Sequence, residues 1–248
     1  MGEKYMQQPL YLLDSYAKDL ETSVKEIIEK DGKHFVVLDD TVFYARGGGQ
    51  PSDTGKIIRL SDNSEFNVVS VTKFEGKILH EVSGQDAKLE TGNRIKCIID
   101  WPRRYRLMRI HTATHILAAI MHKEEGVLIS GNELGEDKAR VDFNLQDANS
   151  EKIQNYINKT NEAIKRNLEV TMTFMPREDA LKLPGAVKLM GALPPDIQTL
   201  RIVQIGDVDL QADGGTHVKN TSEIGEIELI RIDNKGKDNR RVYFKLKD

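Results

Sequence analysis

At Asp100-Trp101-Pro102 the spacing of apolar residues changes, and with it the kind of structure the chain can build. Before that point apolar residues come in short runs: His34-Phe35-Val36-Val37-Leu38, Ile57-Ile58-Arg59-Leu60, Phe66-Asn67-Val68-Val69-Ser70-Val71, Lys77-Ile78-Leu79-His80 and Arg94-Ile95-Lys96-Cys97-Ile98-Ile99. Turn signals separate them, among them Asp31-Gly32, Gly47-Gly48-Gly49 and Glu75-Gly76, and short strands at this spacing predict a small β-barrel or a sandwich. Beyond the break, Asp100 is placed to cap a helix and Pro102 is tolerated in a first turn. Leu107, Ile110, Thr114, Leu117 and Met121 then recur three and four apart, which predicts a helix to about residue 122. A second helix is predicted from Ser150, with strands at 126–130, 138–145, 169–175, 200–206, 224–233 and 240–246. Pro184-Gly185 and Pro194-Pro195 bracket an irregular connection. The reading is an α+β fold in two domains, an all-β domain over 1–98 and an α+β domain over 99–248.

A chain of 248 residues can bury a full core without staples. Its single cysteine, Cys97, excludes an internal disulfide and a multi-thiolate zinc cage, and fits a reducing compartment. No segment reaches the ~18 apolar residues of a membrane span, and the opening residues lack the apolar core of a signal peptide. A soluble, cytoplasmic protein with no membrane partner is expected. The net charge of −3 argues against a broad positive coat but allows a local basic face.

His111 and His115 stand i, i+4 on the first predicted helix, which puts both imidazoles on one face. Alone, such a pair fits a polar helix edge equally well, and no Glu follows His111 to make a zinc-protease HExxH motif. Asp213 and His217 bracket Gly214-Gly215-Thr216, a turn that can bring both side chains to one point. With the helix pair they would make a tetrahedral N₃O site suited to one zinc ion, Zn2+. Asp213 either ligates directly or orients a histidine from behind, and the bland alternative is a tight turn that Asp213 caps. In Phe43-Tyr44-Ala45-Arg46-Gly47-Gly48-Gly49-Gln50-Pro51-Ser52-Asp53-Thr54-Gly55 the glycines permit close backbone approach and expose N–H groups, yet no P-loop ending follows. Arg103 and Arg104, with Lys235, Lys237, Arg240 and Arg241, are candidates to hold a nucleic-acid backbone, although solvated, salt-bridged surface is the commoner use of such runs.

These three segments, in this order, resemble the editing region of alanyl-tRNA synthetase and its freestanding relatives, the AlaX alanyl-tRNA editing proteins. The long Asp213-Gly214-Gly215-Thr216-His217-Val218-Lys219-Asn220-Thr221-Ser222-Glu223-Ile224-Gly225 stretch is the most specific of them. The glycine-rich segment ahead of the histidine pair resembles the medium-length class, and nothing in the chain provides a synthetase's aminoacylation domain. The resemblance implies a translation-factor-like β-barrel followed by the α+β editing domain shared with threonyl-tRNA synthetase. It implies a deacylase for mischarged alanine tRNA, chiefly serine on alanine tRNA, met at the acceptor end without an obligate protein partner. The implied metal ligands are His111, His115, Asp213 and His217; many members of the wider family carry cysteine where Asp213 stands. Gln50 and Thr216 are the implied catalytic candidates, and Gly48, Gly49, Ser130 and Asn132 the substrate-facing ones. A tRNA-binding module with a structural zinc, and a deacylase for another small residue such as glycine, are the alternatives.

Overall fold

The computed structural model describes residues 8–83, 88–146, 149–183 and 198–247. Chain contacts divide it into two compact units, residues 1–47 with 51–105, and residues 48–50 with 106–248. Among the described residues no helix is long and apolar enough to cross a membrane. The expected irregular connection between Pro184-Gly185 and Pro194-Pro195 lies outside the described residues.

The first unit is a closed six-stranded barrel, which settles barrel against sandwich. A short helix α1 (Leu10–Leu13) precedes strands β1 (Asp19–Lys30), β2 (Lys33–Leu38), β3 (Gly55–Arg59), β4 (Glu65–Phe74), β5 (Lys77–Ser83) and β6 (Arg94–Ile99). They run in the order β1-β2-β5-β4-β3-β6, all antiparallel, and β1 closes the barrel by pairing with both β2 and β6. Full closure leaves no edge strand exposed. Inward residues alternate along the strands, and Val24, Val36, Ile57, Phe66, Val71, Ile95 and Cys97 fill the interior. Burial pushes the Cys97 thiol up to about 12, with Asp40 adding to the shift, so the one cysteine is a packing residue and not a nucleophile.

Helix α2 (Trp101–Glu125) starts in this unit and continues into the second. Asp100 caps it as expected, accepting from the Arg103 N–H at 3.2 Å. The predicted stripe understates the burial, because every residue from Ile110 to Ala119 is buried. A helix enclosed on all faces needs apolar or fully satisfied side chains on all of them. Thr112 and Thr114 meet this by donating to the carbonyls of Met108 and Ile110 one turn back, at 2.9 and 2.8 Å.

The second unit holds two sheets. Strands β7 (Ile129–Leu134), β8 (Ala139–Phe143), β12 (Glu226–Asn234) and β13 (Arg240–Lys247) pair in the order β12-β13-β8-β7; β9 (Val170–Pro176), β10 (Thr199–Ile205) and β11 (Asp209–Ala212) pair in the order β11-β10-β9. Helix α3 (Ser150–Lys165) is capped by Asn149, whose side chain accepts from the Lys152 N–H, and buries Ile153, Tyr156, Ile157, Thr160, Ala163 and Ile164 along one face. Asn161 on α3 docks that helix on β12 by exchanging two 2.9 Å hydrogen bonds with the Ile227 backbone. A single-turn helix α4 (Arg177–Ala180) follows β9.

Candidate metal centre

The second unit brings His111, His115, Asp213 and His217 together, with one ligand atom from each lying within 4.8 Å of all the others. Among the described residues this is the one His/Cys/Asp/Glu group that could hold a metal ion. The helical repeat of α2 supplies the first two. The turn after β11 supplies the others, and β10 fastens that turn. Asp213 N–H donates to the Arg201 carbonyl at 3.0 Å, and the buried Arg201 guanidinium returns bonds to the carbonyls of Asp213 and Gly215 at 3.1 and 2.9 Å. Asp213 Oδ2 accepts from the Gly215 N–H at 2.5 Å, which folds the carboxylate over its own turn.

The proton inventory identifies which imidazole nitrogens face inward. His217 Nδ1 lies 3.1 Å from Thr112 Oγ1, whose own proton goes to Met108, so the histidine donates. His111 Nδ1 lies 3.0 Å from Gln50 Oε1, an oxygen that also accepts from the Thr216 N–H at 3.1 Å. His115 Nδ1 lies 2.9 Å from a carboxylate oxygen of Asp209. Each ring therefore carries its proton on Nδ1 and turns an unprotonated Nε2 inward. Those three Nε2 atoms stand 3.6, 3.9 and 3.0 Å from Asp213 oxygens, for His111, His115 and His217 in turn. Lone pairs facing a carboxylate with no proton between them repel, and a cation at their centre reverses the sign of that interaction. A tetrahedral ion with bonds of about 2.0–2.1 Å has ligand–ligand edges near 3.3 Å. The His217 contact, to Oδ2, is shorter and the His111 and His115 contacts, to Oδ1, are longer, so the four groups would shift toward one carboxylate oxygen to hold an ion.

Electrostatics agree with the donor set. Burial holds His111 well below its ordinary value and pushes His217 down to about 4, in each case against the pull of Asp213. Both are thus neutral at pH 7, the form a ligand needs. Burial would raise Asp213, but protonation of the facing His111, His217 and His115 at low pH opposes it and holds its carboxyl well below the usual carboxylate range. The remaining histidines serve other sites. His80 is enclosed in the barrel between Thr41 and the Val36 carbonyl, His34 pairs with Glu29 at the surface, and His122 bonds the Val127 carbonyl beyond α2.

Gln50 is fully buried beside the centre and belongs with the second unit, as do Gly48 and Gly49. Its Nε2 donates to Thr216 Oγ1 at 2.8 Å while its Oε1 serves His111 and the Thr216 N–H, so both ends of the amide are engaged. Strand β7 holds the glycine segment: Leu134 N–H donates to the Gly49 carbonyl at 2.9 Å and Asn132 Nδ2 to the Gly48 carbonyl at 3.1 Å. Gly49 has φ +85° and a Cβ there would lie 2.0 Å from Asn132 Oδ1, so close approach and backbone conformation both require glycine. Ser130, on the same strand, donates to the Asp142 carbonyl at 3.2 Å and accepts from Asn239.

The basic candidates divide. Arg104 is fully buried in the first unit, bound to Asp53 and to the carbonyls of Ser15 and Val42, which removes it from any surface a phosphate can reach. Arg103 donates to the Ser52 carbonyl. Arg241 makes a two-pronged ion pair with Asp142 at 2.7 and 2.8 Å, and Arg240 binds Asn234 Oδ1 and the carbonyls of Gly236, Asn239 and Gln146 around the β12–β13 turn. Lys235 and Lys237 are exposed on that turn. Asp209 and Gln211, whose amide nitrogen lies 3.5 Å from His115 Nε2, are site residues that the motifs do not contain. The alternating Asp209-Leu210-Gln211-Ala212-Asp213 pattern was the available signal, since a strand period of two puts its three polar residues on one face.

A barrel unit joined to a unit that converges three imidazoles and a carboxylate defines a two-part α+β protein with a candidate metal centre. Residues 14–103 match the family described as tRNA synthetases class II (A), and residues 200–243 the threonyl and alanyl tRNA synthetase second additional domain. The chain is 46% identical over 246 residues to the alanyl-tRNA editing protein AlaX-M of Methanosarcina barkeri, covering 98% of this chain and all of that protein. It is 44% identical to the AlaX-M of Saccharolobus solfataricus, again over that protein's full length. Against the alanine–tRNA ligase of Methanobrevibacter smithii it is 35% identical over 240 residues, 95% of this chain but 26% of the ligase. The chain belongs to the AlaX-M family of alanyl-tRNA editing proteins.

Proposed function

We propose that this protein is a trans-editing deacylase that hydrolyses the ester joining a wrong amino acid, chiefly serine, to the end of alanine tRNA. The observation that carries the reading is the convergence of three unprotonated imidazole nitrogens on Asp213 in a member of a family named for alanyl-tRNA editing. His111, His115 and His217 through Nε2, and Asp213 through its carboxylate, would hold one zinc ion. Bound there, zinc would supply Lewis acidity to the ester carbonyl or to the attacking water. The protein's own residues set the frame. Gln50 orients His111 and fixes the Thr216 backbone. Thr216 accepts from Gln50, and its own O–H, without an acceptor among the described residues, is left to donate to substrate. Cys97, the one thiol, is sealed in the barrel and protonated, so it offers no nucleophile for an acyl-enzyme. Serine selectivity follows from what apolar pockets do badly. A site shaped for alanine rejects an added hydroxyl weakly, whereas a site that hydrogen-bonds that hydroxyl leaves a polar group unpaired when alanine enters. The compartment that goes with a tRNA substrate in this reading is the cytoplasm.

Deacylation of serine-charged and alanine-charged alanine tRNA, with and without a chelator, tests this. Release of serine alone, abolished by the chelator while the circular dichroism spectrum holds, is the expected result. Equal release of both would mean an unselective esterase, and release of neither would indicate a tRNA-binding module with a structural zinc.

Lys235 and Lys237 are the cations on the β12–β13 turn left to meet a phosphate backbone, since Arg240 and Arg241 are engaged within the protein. Replacing both lysines by alanine should weaken tRNA binding and reduce the slope of log affinity against log salt by about one for each phosphate contact removed. An unchanged slope would clear the turn of that role.

A further inference from the structure

Strand β11 has two chemically different faces. Leu210 and Ala212 pack on an apolar cluster of Ala180, Leu200 and Ile202. Asp209, Gln211 and Asp213, at the alternate positions, reach His115 or its immediate neighbours in the metal centre. Of these, Asp213 belongs to the ligand set, and Asp209 lies behind it. Its side chain is 1% exposed and its Oδ2 meets His115 Nδ1 at 2.9 Å, on the side of the ring away from the centre. The three histidines are backed unequally. An amide oxygen of Gln50 backs His111 and the hydroxyl of Thr112 backs His217, both neutral acceptors. Among the described residues, His115 is the one whose Nδ1 meets a carboxylate.

We propose that Asp209 is a positioning residue for the metal centre, holding His115 in the Nδ1–H tautomer and making its Nε2 the most strongly donating of the three nitrogens. An isolated neutral imidazole prefers its proton on Nε2, the nitrogen that must be bare to ligate. An acceptor on Nδ1 reverses that preference, and a negative one also raises the basicity of the opposite nitrogen. The cost of burying Asp209 is offset by a charge-assisted hydrogen bond. The proposal rests on the reading of His111, His115, Asp213 and His217 as metal ligands.

Two variants separate acceptor from charge. Asp209→Asn keeps an oxygen for His115 Nδ1–H and removes the charge; Asp209→Leu, of similar shape, removes both. Zinc affinity, measured for zinc alone against a chromophoric chelator, should fall about tenfold in Asp209→Asn and about 100-fold in Asp209→Leu. Long-range proton–nitrogen spectra of the metal-free proteins should show the His115 proton on Nδ1 in the wild type and in Asp209→Asn, and shifted to Nε2 in Asp209→Leu, with His111 and His217 unchanged. Wild-type zinc affinity in either variant would overturn the proposal, as would an Nδ1 proton on His115 in Asp209→Leu. If Asp209→Leu does not fold, Asp209→Asn still decides through its affinity. A wild type that binds no zinc would sink the metal reading itself, while the tautomer measurement, made without metal, would still judge Asp209.

Discussion

Gly215→Ala should abolish zinc binding at the proposed centre and reduce deacylation by about 100-fold or more, while Gly214→Ala should leave zinc binding at the wild-type level. The two glycines are adjacent, and neither falls in the positive-φ region that favours glycine, so conformation does not distinguish them. Space does. A Cβ on Gly215 would lie 2.2 Å from His111 Cε1, 2.5 Å from His111 Nδ1 and 2.9 Å from Gln50 Oε1, whereas a Cβ on Gly214 meets nothing within 4 Å. The methyl group at 215 therefore lands on the hydrogen bond that aims His111. Relief requires the ring to swing away from Gln50, which carries Nε2 off the common centre, or requires the turn to back away and take Asp213 and His217 with it. Displacements near 1 Å in a reacting constellation cost on the order of 100-fold in rate. Zinc content after gel filtration and the rate of serine release from charged tRNA both read the effect. A Gly215→Ala protein with wild-type zinc and wild-type rate would show that the turn yields freely and that its packing against His111 is incidental.

That contrast marks what the sequence holds and what it hides. The i, i+4 histidine pair and the Asp213–His217 turn were legible as candidate ligands because helix and turn geometry are local. Which of two neighbouring glycines is needed for space depends on a helix about a hundred residues earlier in the chain. Strand β1, absent from the sequence expectation, hides for another local reason. Its DLETSVKEIIEK stretch has two buried residues, Thr22 and Val24, one of them polar, and the register slips between Val24 and Glu26, so the alternation of Leu20, Thr22 and Val24 is short and does not continue into Ile27-Ile28. Strand β11 has four residues, three of them half-buried, and its alternation is too short to stand out in the sequence. The arginine runs mislead in a different way. Arg241 stands opposite Asp142 in the β13–β8 register, and that cross-strand pairing turns a candidate phosphate contact into an internal ion pair. Charge is visible in sequence, but the partner that neutralises it is set by register.

Arg104 is the extreme case, and it carries the other large expected effect: Asp53→Ala should destabilise the first unit by about 3–5 kcal/mol. The pair is entirely enclosed, with side-chain exposures of 0% and 1%. Arg104 Nε lies 2.9 and 3.0 Å from the two Asp53 oxygens, Nη2 binds the same carboxylate, and Nη1 and Nη2 donate to the carbonyls of Ser15 and Val42 at 2.9 and 2.7 Å. Asp53 also accepts from the Tyr44 N–H at 2.6 Å and returns its own N–H to the Tyr44 carbonyl at 3.1 Å, closing the base of the segment that contains Gly48, Gly49 and Gln50. Removing the carboxylate leaves a guanidinium without counter-charge in the interior and takes away the Asp53 oxygen that accepts from the Tyr44 N–H. The expected loss is accordingly that of a broken buried pair and far exceeds that of a surface salt bridge. Asp53→Asn keeps the shape and one acceptor, so it should lose less than Asp53→Ala, and the difference measures what geometry contributes apart from charge. Trp101, the single tryptophan, stacks on Tyr105 with ring centroids 5.5 Å apart in the same unit, so its fluorescence during urea unfolding reports this unit. A loss below about 1 kcal/mol in Asp53→Ala would mean that water reaches Arg104 once the carboxylate is gone, and that the pair fixes the segment's path without holding up the barrel.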